Sequence, residues 1–330
     1  MVVVVVAGGL GDLGRLIVNE ICANEKHEVY VLSRKAPKDS EGLTTPKVLQ
    51  TDYSQESLST LLRETKAHTV ISALNLDFAA SSESQIRLIK AASESGTVKR
   101  FIPSEFNIDY DLDDRILPYE DKKFHVAGRR ELEKTSLEYT FIYCGMFMDY
   151  FGLPYFPTDM RALYTILDIP HSLAVVSGDG TATVAITYTK DVARLVARSI
   201  DLPKWPRVYT VAGAEISSND LVELAERILG MSFKKEADSM DDLYARRTTL
   251  LPSNVGAAAY FPGGEDQLKA LIADLSVPLA LGAYDVAKVE GSVDLVKALG
   301  SDAGHVMGLE EFFDITAKAK SSQGSSGFKA

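Results

Sequence analysis

Cysteine is scarce in this sequence, with two residues among 330, Cys22 and Cys144. No Cys-x-x-Cys pair occurs, and no group of cysteine and histidine residues has the spacing of a metal site. A small secreted scaffold held together by disulfide bonds is excluded, because such scaffolds need several cysteine pairs. We interpret both residues as free thiols in a reducing compartment, and the sequence predicts no metal site.

A long apolar run and a surplus of positive charge are also missing. The apolar run at residues 2–6 is far too short to span a bilayer, and no basic segment precedes it, so we expect a cytoplasmic protein. The net charge of −11 argues against non-specific binding to nucleic acid or to an acidic membrane, which needs a basic surface. We expect a small-molecule partner, and the oligomeric state stays open.

The residues that are present form a globular pattern of alternating strands and helices. Hydrophobic residues make up 46% of the sequence and charged residues 25%, as in an ordinary folded protein. Short apolar runs alternate with amphipathic helical patterns, which predicts a parallel, doubly wound α/β sheet of the Rossmann type. The predicted strands cover residues 2–6, 27–33, 46–52, 68–74, 98–104 and 137–145.

The second half of the chain has a less regular pattern. We predict a dinucleotide-binding domain at residues 1–150 and a smaller α/β substrate domain at residues 151–319. No clean linker separates the two, so we expect the second part to pack on the first and some of its segments to return to the first sheet. The Gly- and Ser-rich residues 320–330 are predicted to be a disordered tail.

A glycine-rich turn, "VAGGLGDLG", follows the first predicted strand and begins a helix. Gly8 permits the tight turn, Gly11 lets the backbone approach a pyrophosphate, and Gly14 lets helix and strand pack closely. The free N–H groups at the start of the helix favour phosphate binding. We therefore predict a dinucleotide site, and three further residues of the turn are candidate contacts: Leu10, Asp12 and Leu13.

The end of the second predicted strand indicates which dinucleotide binds. NAD sites place a carboxylate there to bind the ribose 2′-hydroxyl, but this strand ends with Ser33, Arg34 and Lys35. The planar fork of donors on an arginine suits a 2′-phosphate, which favours NADPH or NADP⁺. The alternative is that Arg34 and Lys35 are solvated surface cations.

Two other strand ends are expected to complete the cofactor site, because ligands of such sheets lie beyond the carboxyl ends of the strands. Asp52, followed by Tyr53, ends the third strand near the expected adenine. Ala73, Leu74 and Asn75 follow the fourth strand, on the expected path of the ribose and nicotinamide.

Several of these motifs together resemble the isoflavone reductase-like and NmrA-like atypical short-chain dehydrogenases. The resemblance lies in the glycine turn and in "VLSRK", "VKRFIPSEFN" and "YTFIYCGMFMDYF", and it extends through "TYTKDVARLV" and "YTVAG" to about residue 313. It implies a Rossmann domain, NADPH, and reduction of an aromatic or otherwise apolar small molecule. One branch of the family binds the dinucleotide as a regulator, so the resemblance does not fix the reaction. It also implies six further cofactor contacts: Pro103, Ser104, Glu105, Phe106, Gly145 and Phe147.

The helix predicted at residues 120–134 carries the candidate catalytic residues. The family usually has a lysine four residues before the first arginine of "RRELE", and this sequence has His125 there. Histidine suits proton transfer near neutral pH, or His125 is a histidine packed at the edge of the core. Tyr119 and Lys123 form the Tyr-x-x-x-Lys spacing of ordinary short-chain dehydrogenases, which also arises by chance.

The sequence thus predicts an NADPH-dependent reductase that delivers hydride to a C=C, C=N or C=O carbon of an aromatic or polyketide-like compound. Aromatic and Met residues at 146–156 line an apolar pocket or belong to the core. Two alternatives remain. One is an NADP-binding regulator, and the other is an isomerase, cyclase or dehydratase that uses the same pocket.

Overall fold

The computed structural model of the chain describes residues 1–35 and 46–326. The described strands are β1 Val3–Ala7, β2 Glu28–Ser33, β3 Lys47–Gln50, β4 Thr69–Ser72, β5 Arg100–Ile102, β6 Phe106–Asn107, β7 Glu138–Tyr139, β8 Phe141–Tyr143, β9 Met146–Phe147, β10 Leu167–Asp168, β11 Leu173–Ser177, β12 Thr183–Thr187, β13 Val208–Thr210, β14 Ala214–Ser217, β15 Lys234–Asp238 and β16 Val293–Asp294. The described helices are α1 Asp12–Ala23, α2 Gln55–Glu64, α3 Ala79–Glu94, α4 Lys122–Leu132, α5 Thr189–Ser199, α6 Ser218–Leu229, α7 Met240–Tyr244, α8 Gly264–Ala280, α9 Leu295–Leu299 and α10 Leu309–Ser326.

The central sheet confirms the predicted Rossmann class. Six strands are hydrogen-bonded in the order β3-β2-β1-β4-β5-β7, and every pair is parallel. The side chains of Val4, Val5 and Val6 in β1 are completely buried, which explains the unbroken apolar run. The strand order reverses between β1 and β4, so a crevice opens at the carboxyl ends of these strands.

The strand predicted at residues 137–145 is wrong as a single element. It divides at Thr140 into β7 and β8, and the two parts have different neighbours. The N–H of Thr140 still donates to Phe101 O at 3.3 Å, whereas the N–H of Phe141 donates to Arg207 O at 3.0 Å. The chain therefore changes hydrogen-bonding partners within one residue, from β5 to the residue that precedes β13.

Segments of the second half pair with strands of the first half. Strand β13 lies parallel to β8, between β8 and β16, and β12 pairs with β9. Helix α5 packs against α1 on one face of the central sheet. The boundary between residues 1–150 and 151–319 remains a prediction.

The predicted tail at residues 320–330 differs from the structure, because α10 continues to Ser326. Phe312 and Phe313 anchor the helix in the core. Farther along, the hydroxyls of Ser321 and Ser322 donate to the carbonyls four residues earlier, each at 2.9 Å, so these polar residues bond within the helix. Residues 327–330 lie outside the described residues.

Within residues 1–35 and 46–326, no helix is long and apolar enough to cross a membrane.

Candidate functional site

A cavity of about 810 Å³ opens at the carboxyl ends of β1, β2 and β4. Helix α8 covers it from the second half, with Leu271, Leu275 and Leu279 facing inward. Sixteen of the predicted cofactor residues line the cavity: Gly8, Leu10, Gly11, Asp12, Leu13, Ser33, Arg34, Lys35, Tyr53, Ala73, Leu74, Asn75, Ser104, Phe106, Gly145 and Phe147. Gly14, Asp52, Pro103 and Glu105 do not line it.

The structure agrees with the predicted roles of Gly8 and Gly14, while the role of Gly11 at a pyrophosphate stays a prediction. Gly8 has a φ of +76°, and a Cβ there would lie 2.4 Å from Ala73 O. A Cβ on Gly11 would meet one backbone atom, Gly8 O, at a tight 3.3 Å, and Gly11 also lines the cavity. A Cβ on Gly14 would lie 2.2 Å from Gly8 O, so Gly14 serves close packing of helix and strand.

The first turn of α1 has N–H groups that no side chain caps. Helices α3, α4 and α8 also lack a side-chain cap, whereas Ser54, Ser217 and Ser239 cap α2, α6 and α7 through their side-chain oxygens. Gly11 at the N-cap position of α1 has no side chain to offer and lines the cavity. This end of the helix is therefore left with free donors, which suits the phosphates of a dinucleotide.

Arg34, the residue that follows β2, is held in place by two contacts. The guanidinium of Arg34 donates to Ser84 Oγ at 2.9 Å and lies over the ring of Tyr53, 5.2 Å from its centroid. The two contacts use one face and one nitrogen, which leaves other donors for a phosphate. Asp52 points elsewhere, since its carboxylate accepts from the N–H of Ser54 at 2.8 Å. Tyr53 rather than Asp52 thus lies at the expected adenine position.

Ser104 joins three elements at the inner end of the cavity. Its N–H donates to Gln85 Oε1 on α3 at 3.0 Å, and its hydroxyl donates to Leu74 O after β4 at 2.7 Å. Its carbonyl lies 3.1 Å from Nδ1 of His125 on α4. The "PSEFN" loop is therefore held in place and in turn holds the histidine.

His125 is 8% exposed and lines the cavity. Burial lowers the pKa of its imidazole to about 3, against a smaller opposite effect of the Ser104 carbonyl. The ring is therefore neutral at neutral pH. A carbonyl oxygen can only accept, so Nδ1 carries the proton and Nε2 has a free lone pair. This geometry favours a hydrogen-bond acceptor, or base, over a proton donor.

The comparisons with known proteins agree with this fold. A sequence profile of the NmrA-like family matches residues 2–258. This chain belongs to the NmrA-like family. It is 38% identical to "Oxidoreductase BOA1" of Botryotinia fuckeliana over 70% of this chain and 77% of that protein. It is 34% identical to "Oxidoreductase swnN" of Metarhizium robertsii, over 77% of this chain and 81% of that protein.

Solved structures of NmrA-like reductases share the fold at low sequence identity. A leucoanthocyanidin reductase–NADPH complex from Vitis vinifera superposes with a TM-score of 0.72 and 17% identity, covering 96% of this chain and 99% of that chain. A structure of AtPrR2 with NADP⁺ and (+)pinoresinol gives a TM-score of 0.73 and 22% identity, covering 96% and 98%. At this level of identity the likeness shows the fold alone.

Glu105, a predicted cofactor contact, does not line the cavity of this NmrA-like chain. It forms a buried ion pair with Arg129, which is called the brace. Its side chain is fully buried, and Oε2 accepts from Nε of Arg129 at 2.7 Å as well as from Nη2. Arg129 also bonds Asp109 and the hydroxyl of Tyr143. Burial raises the pKa of Glu105 to about 7, against the pull of Arg129. The brace fixes α4 to the "PSEFN" loop one turn from His125.

Tyr119 and Lys123 are not brought together as a pair. The hydroxyl of Tyr119 donates to Asp77 at 3.4 Å, while Nζ of Lys123 lies 3.9 Å from Asp121. Burial, with Asp77 as the next cause, raises the pKa of Tyr119, which is opposite to the effect of a neighbouring lysine. Both line a separate cavity of about 570 Å³. A catalytic role for Tyr119 and Lys123 remains a prediction, and no contact between the two side chains supports it.

A polar group on the cavity wall beside His125 was not among the predicted site residues. The amide nitrogen of Asn107 donates to the hydroxyl of Tyr110 at 3.4 Å and also bonds the hydroxyl of Tyr284. The hydroxyl of Thr165, another cavity residue, is buried without a protein partner. Asn107 lies in the "PSEFN" motif and could have been found there, whereas Tyr284 and Thr165 carry no sequence signal.

The aromatic segment after β8 is divided between pocket and core. Met146, Phe147 and Tyr150 line the cavity. The remaining members of the predicted set pack in the core below it: Met148, Phe151, Tyr155 and Phe156.

A serine, histidine and aspartate also meet outside the cavity, but not as a catalytic triad. The carboxylate of Asp168 and the hydroxyl of Ser253 both contact Nδ1 of His171, at 3.0 and 3.2 Å. A triad needs the serine on Nε2, so that the ring can relay a proton between the two. This group ties the end of β10 and the turn after it to a short 3-10 helix at Pro252–Tyr260.

Proposed function

We propose that this chain is an NADPH-dependent reductase of an aromatic or polyketide-like small molecule of secondary metabolism. One observation carries the proposal: the glycine turn, Arg34 and the neutral His125 line the same continuous cavity. Two similar fungal proteins are named oxidoreductases, and proteins of the same fold have been solved with NADPH or with NADP⁺ and pinoresinol.

The residues present fit each part of NADPH. The uncapped N-terminus of α1 at Gly11 suits the pyrophosphate, and Arg34 with Lys35 suits the 2′-phosphate. Tyr53 offers an aromatic face to the adenine, and Ser104 with Phe147 lies at the nicotinamide end. NADPH, when bound, supplies a hydride. The absence of a carboxylate at the end of β2 favours it over NADH.

The substrate end of the cavity is apolar with a few polar groups. Its apolar side chains come from both halves of the chain: Met146, Phe147, Tyr150, Met160, Leu163, Leu271, Leu275 and Leu279. Polar groups stand at defined points, namely His125, Thr165 and the Asn107 amide with its two tyrosines. Such a lining binds a ring compound that carries a few oxygen or nitrogen atoms.

His125 and the tyrosines divide the work of the reduction. Nε2 of His125 accepts a hydrogen bond from a substrate hydroxyl or N–H and so orients the substrate, because the ring has no proton to give there and its lowered pKa makes it a weak base. Burial raises the pKa of Tyr110 and of Tyr284, so both hydroxyls stay protonated at neutral pH. They line the cavity, where one of them can give its proton to the substrate atom on which negative charge develops when hydride arrives, and water then restores the proton of that tyrosine.

The experiment is an assay of NADPH consumption. Purified protein is incubated with NADPH and a panel of aromatic ketones, enones and imines, with Gly11→Val as the matched control. We expect consumption that depends on one class of compound and is absent in the control. Tight NADPH binding without turnover of any compound, together with a captured protein partner, would support the regulator. Product without cofactor consumption would support the isomerase or cyclase.

A further inference from the structure

A segment of the second half crosses the start of α1. This segment, residues 159–163, is called the strap here. It is fixed just before its start, where the hydroxyl of Thr158 donates to Asp149 at 2.7 Å. It is fixed just after its end, where Asn254 accepts from the N–H of Tyr164 at 3.0 Å and donates to its carbonyl at 2.7 Å. The strap therefore spans two held points and has no regular secondary structure between them.

Two ion pairs join the strap to α1. Nε of Arg161 lies 3.2 Å from Oδ2 of Asp12, and the N–H of Arg161 donates to the same oxygen at 3.4 Å. Nη2 of Arg15 lies 3.2 Å from Asp159. Asp12 is the first residue of α1, so Arg161 lies beside the uncapped N–H groups. Both pairs are exposed to water, and such pairs add little stability by themselves.

The negative charges expected at this end of the cavity favour a nearby cation. A bound pyrophosphate brings negative charge to the N-terminus of α1, where Asp12 already carries a carboxylate. Among the described residues, Arg34, Lys35 and Arg161 are the arginine and lysine residues that line the cavity, and the first two lie at the end of β2. No described residue accepts from either terminal nitrogen of Arg161. These nitrogens are available to an anion beside Asp12.

We propose that Arg161 is a pyrophosphate-binding residue supplied by the second half of the chain. Nε keeps its contact with Asp12, the terminal nitrogens donate to the phosphate oxygens, and the strap closes over the cofactor. The strap also carries Met160 and Leu163 to the substrate end of the cavity, so one segment serves both ligands. The inference rests on the NADPH binding of the proposed function but not on the reaction.

The first test compares two ligands. NADPH contains the pyrophosphate, whereas adenosine 2′-monophosphate has the 2′-phosphate alone. Arg161→Ala is expected to weaken the binding of NADPH by about tenfold to a hundredfold, the usual scale for a charge-assisted hydrogen bond. The binding of adenosine 2′-monophosphate should weaken by less than about twofold. Arg161→Lys should recover part of the loss. Arg227→Ala removes another exposed arginine with one ion pair, to Glu310 at 3.0 Å, and should bind as wild type does.

The second test separates a phosphate contact from simple neutralisation of Asp12. If Arg161 only cancels the carboxylate, Arg161→Ala should have no effect in an Asp12→Asn background. If it binds the pyrophosphate, the loss for NADPH persists there. Equal affinities of Asp12→Asn and Asp12→Asn/Arg161→Ala overturn the proposal, as does equal NADPH affinity of wild type and Arg161→Ala. Failure of wild type to bind NADPH would instead refute the proposed function.

Closure of the strap has its own readout. The side chain of Arg161 is 79% exposed, so trypsin can cleave after it in the free protein. NADPH should slow this cleavage in wild type, and adenosine 2′-monophosphate should not. Equal protection by the two ligands would show that the strap does not respond to the pyrophosphate and would overturn this part of the proposal.

Discussion

The rings of His125 and Tyr110 lie parallel, with centroids 3.7 Å apart and planes inclined by 6°. Tyr110 holds one face of the imidazole, and the Ser104 carbonyl holds Nδ1. A tilt of the ring would break the stacking and a half-turn would break the contact with Ser104, so Nε2 keeps one direction. His125, which the sequence predicted to transfer a proton, is therefore a hydrogen-bond acceptor with a fixed orientation.

Acid should destabilise the protein through His125. Its pKa is lowered to about 3 in the folded state, against 6.5 as the ordinary value, so the unfolded chain binds the extra proton first as pH falls. The contribution of the neutral ring is complete above pH 6.5 and is lost between there and about pH 3. From about pH 7.5 to about pH 5 this amounts to about 2 kcal/mol of the free energy of unfolding.

Urea unfolding of wild type and His125→Gln at these two pH values measures the effect. His125→Gln should lose less stability than wild type on acidification, by about the same 2 kcal/mol. The ring signals of His125 in an NMR titration should also stay those of a neutral imidazole down to about pH 5. A ring that titrates near neutral pH would contradict this account of the site.

Gly11 and Gly14 should respond differently to the same substitution. Gly11→Val adds a side chain at the cavity wall, where the pyrophosphate is expected, with one tight contact of 3.3 Å to Gly8 O, so binding of NADPH should be lost while the melting temperature falls only modestly. Gly14→Val places a Cβ against Gly8 O and should destabilise the fold, with a large fall in melting temperature. A folded Gly11→Val protein with unchanged NADPH affinity would contradict the proposal that the glycine turn binds a dinucleotide.

Arg34 should decide between the two nicotinamide cofactors. Arg34→Ala removes donors to the 2′-phosphate and should weaken NADPH by about tenfold to a hundredfold, with NADH nearly unchanged. Titration by fluorescence gives both constants. Ser84→Ala removes the hydroxyl that Arg34 contacts and should cost less than Arg34→Ala. An equal loss for both cofactors would mean that Arg34 supports the fold.

Tyr110 allows its hydroxyl to be tested without moving His125. Tyr110→Phe keeps the ring that stacks on the imidazole and removes the donor beside Asn107. With a substrate from the panel, turnover should fall by about a hundredfold or more, with NADPH affinity unchanged. Tyr209→Phe, which loses a buried hydroxyl bonded to Lys204 O away from the cavity, is the control. Equal turnover of both variants would exclude the Tyr110 hydroxyl from the reaction.

Much of the fold could be predicted because its signals are local. The apolar run of β1, the glycines after it and the cationic end of β2 lie within the first 35 residues, and each has a physical cause that is visible in the sequence. The division at Thr140 could not be predicted, because it depends on Arg207, a partner far along the chain.

The inner end of the site was less predictable for the same reason. Glu105 has the sequence position of a cofactor contact, but burial and Arg129 turn it into a brace. His125 has an ordinary sequence context, and its neutrality follows from its burial, which no local pattern reveals. Tyr284 reaches the cavity from the second half. Such contacts arise when distant segments pack together.

The central claim is that the cavity carries out a net reduction with NADPH. The most direct measurement follows deuterium from NADPH labelled at C4 of the nicotinamide into the product, by mass spectrometry of the reaction with the panel of aromatic ketones, enones and imines. We predict a product that carries the label at one carbon, with one NADP⁺ formed for each product molecule. A product without label and without NADP⁺ would contradict the account.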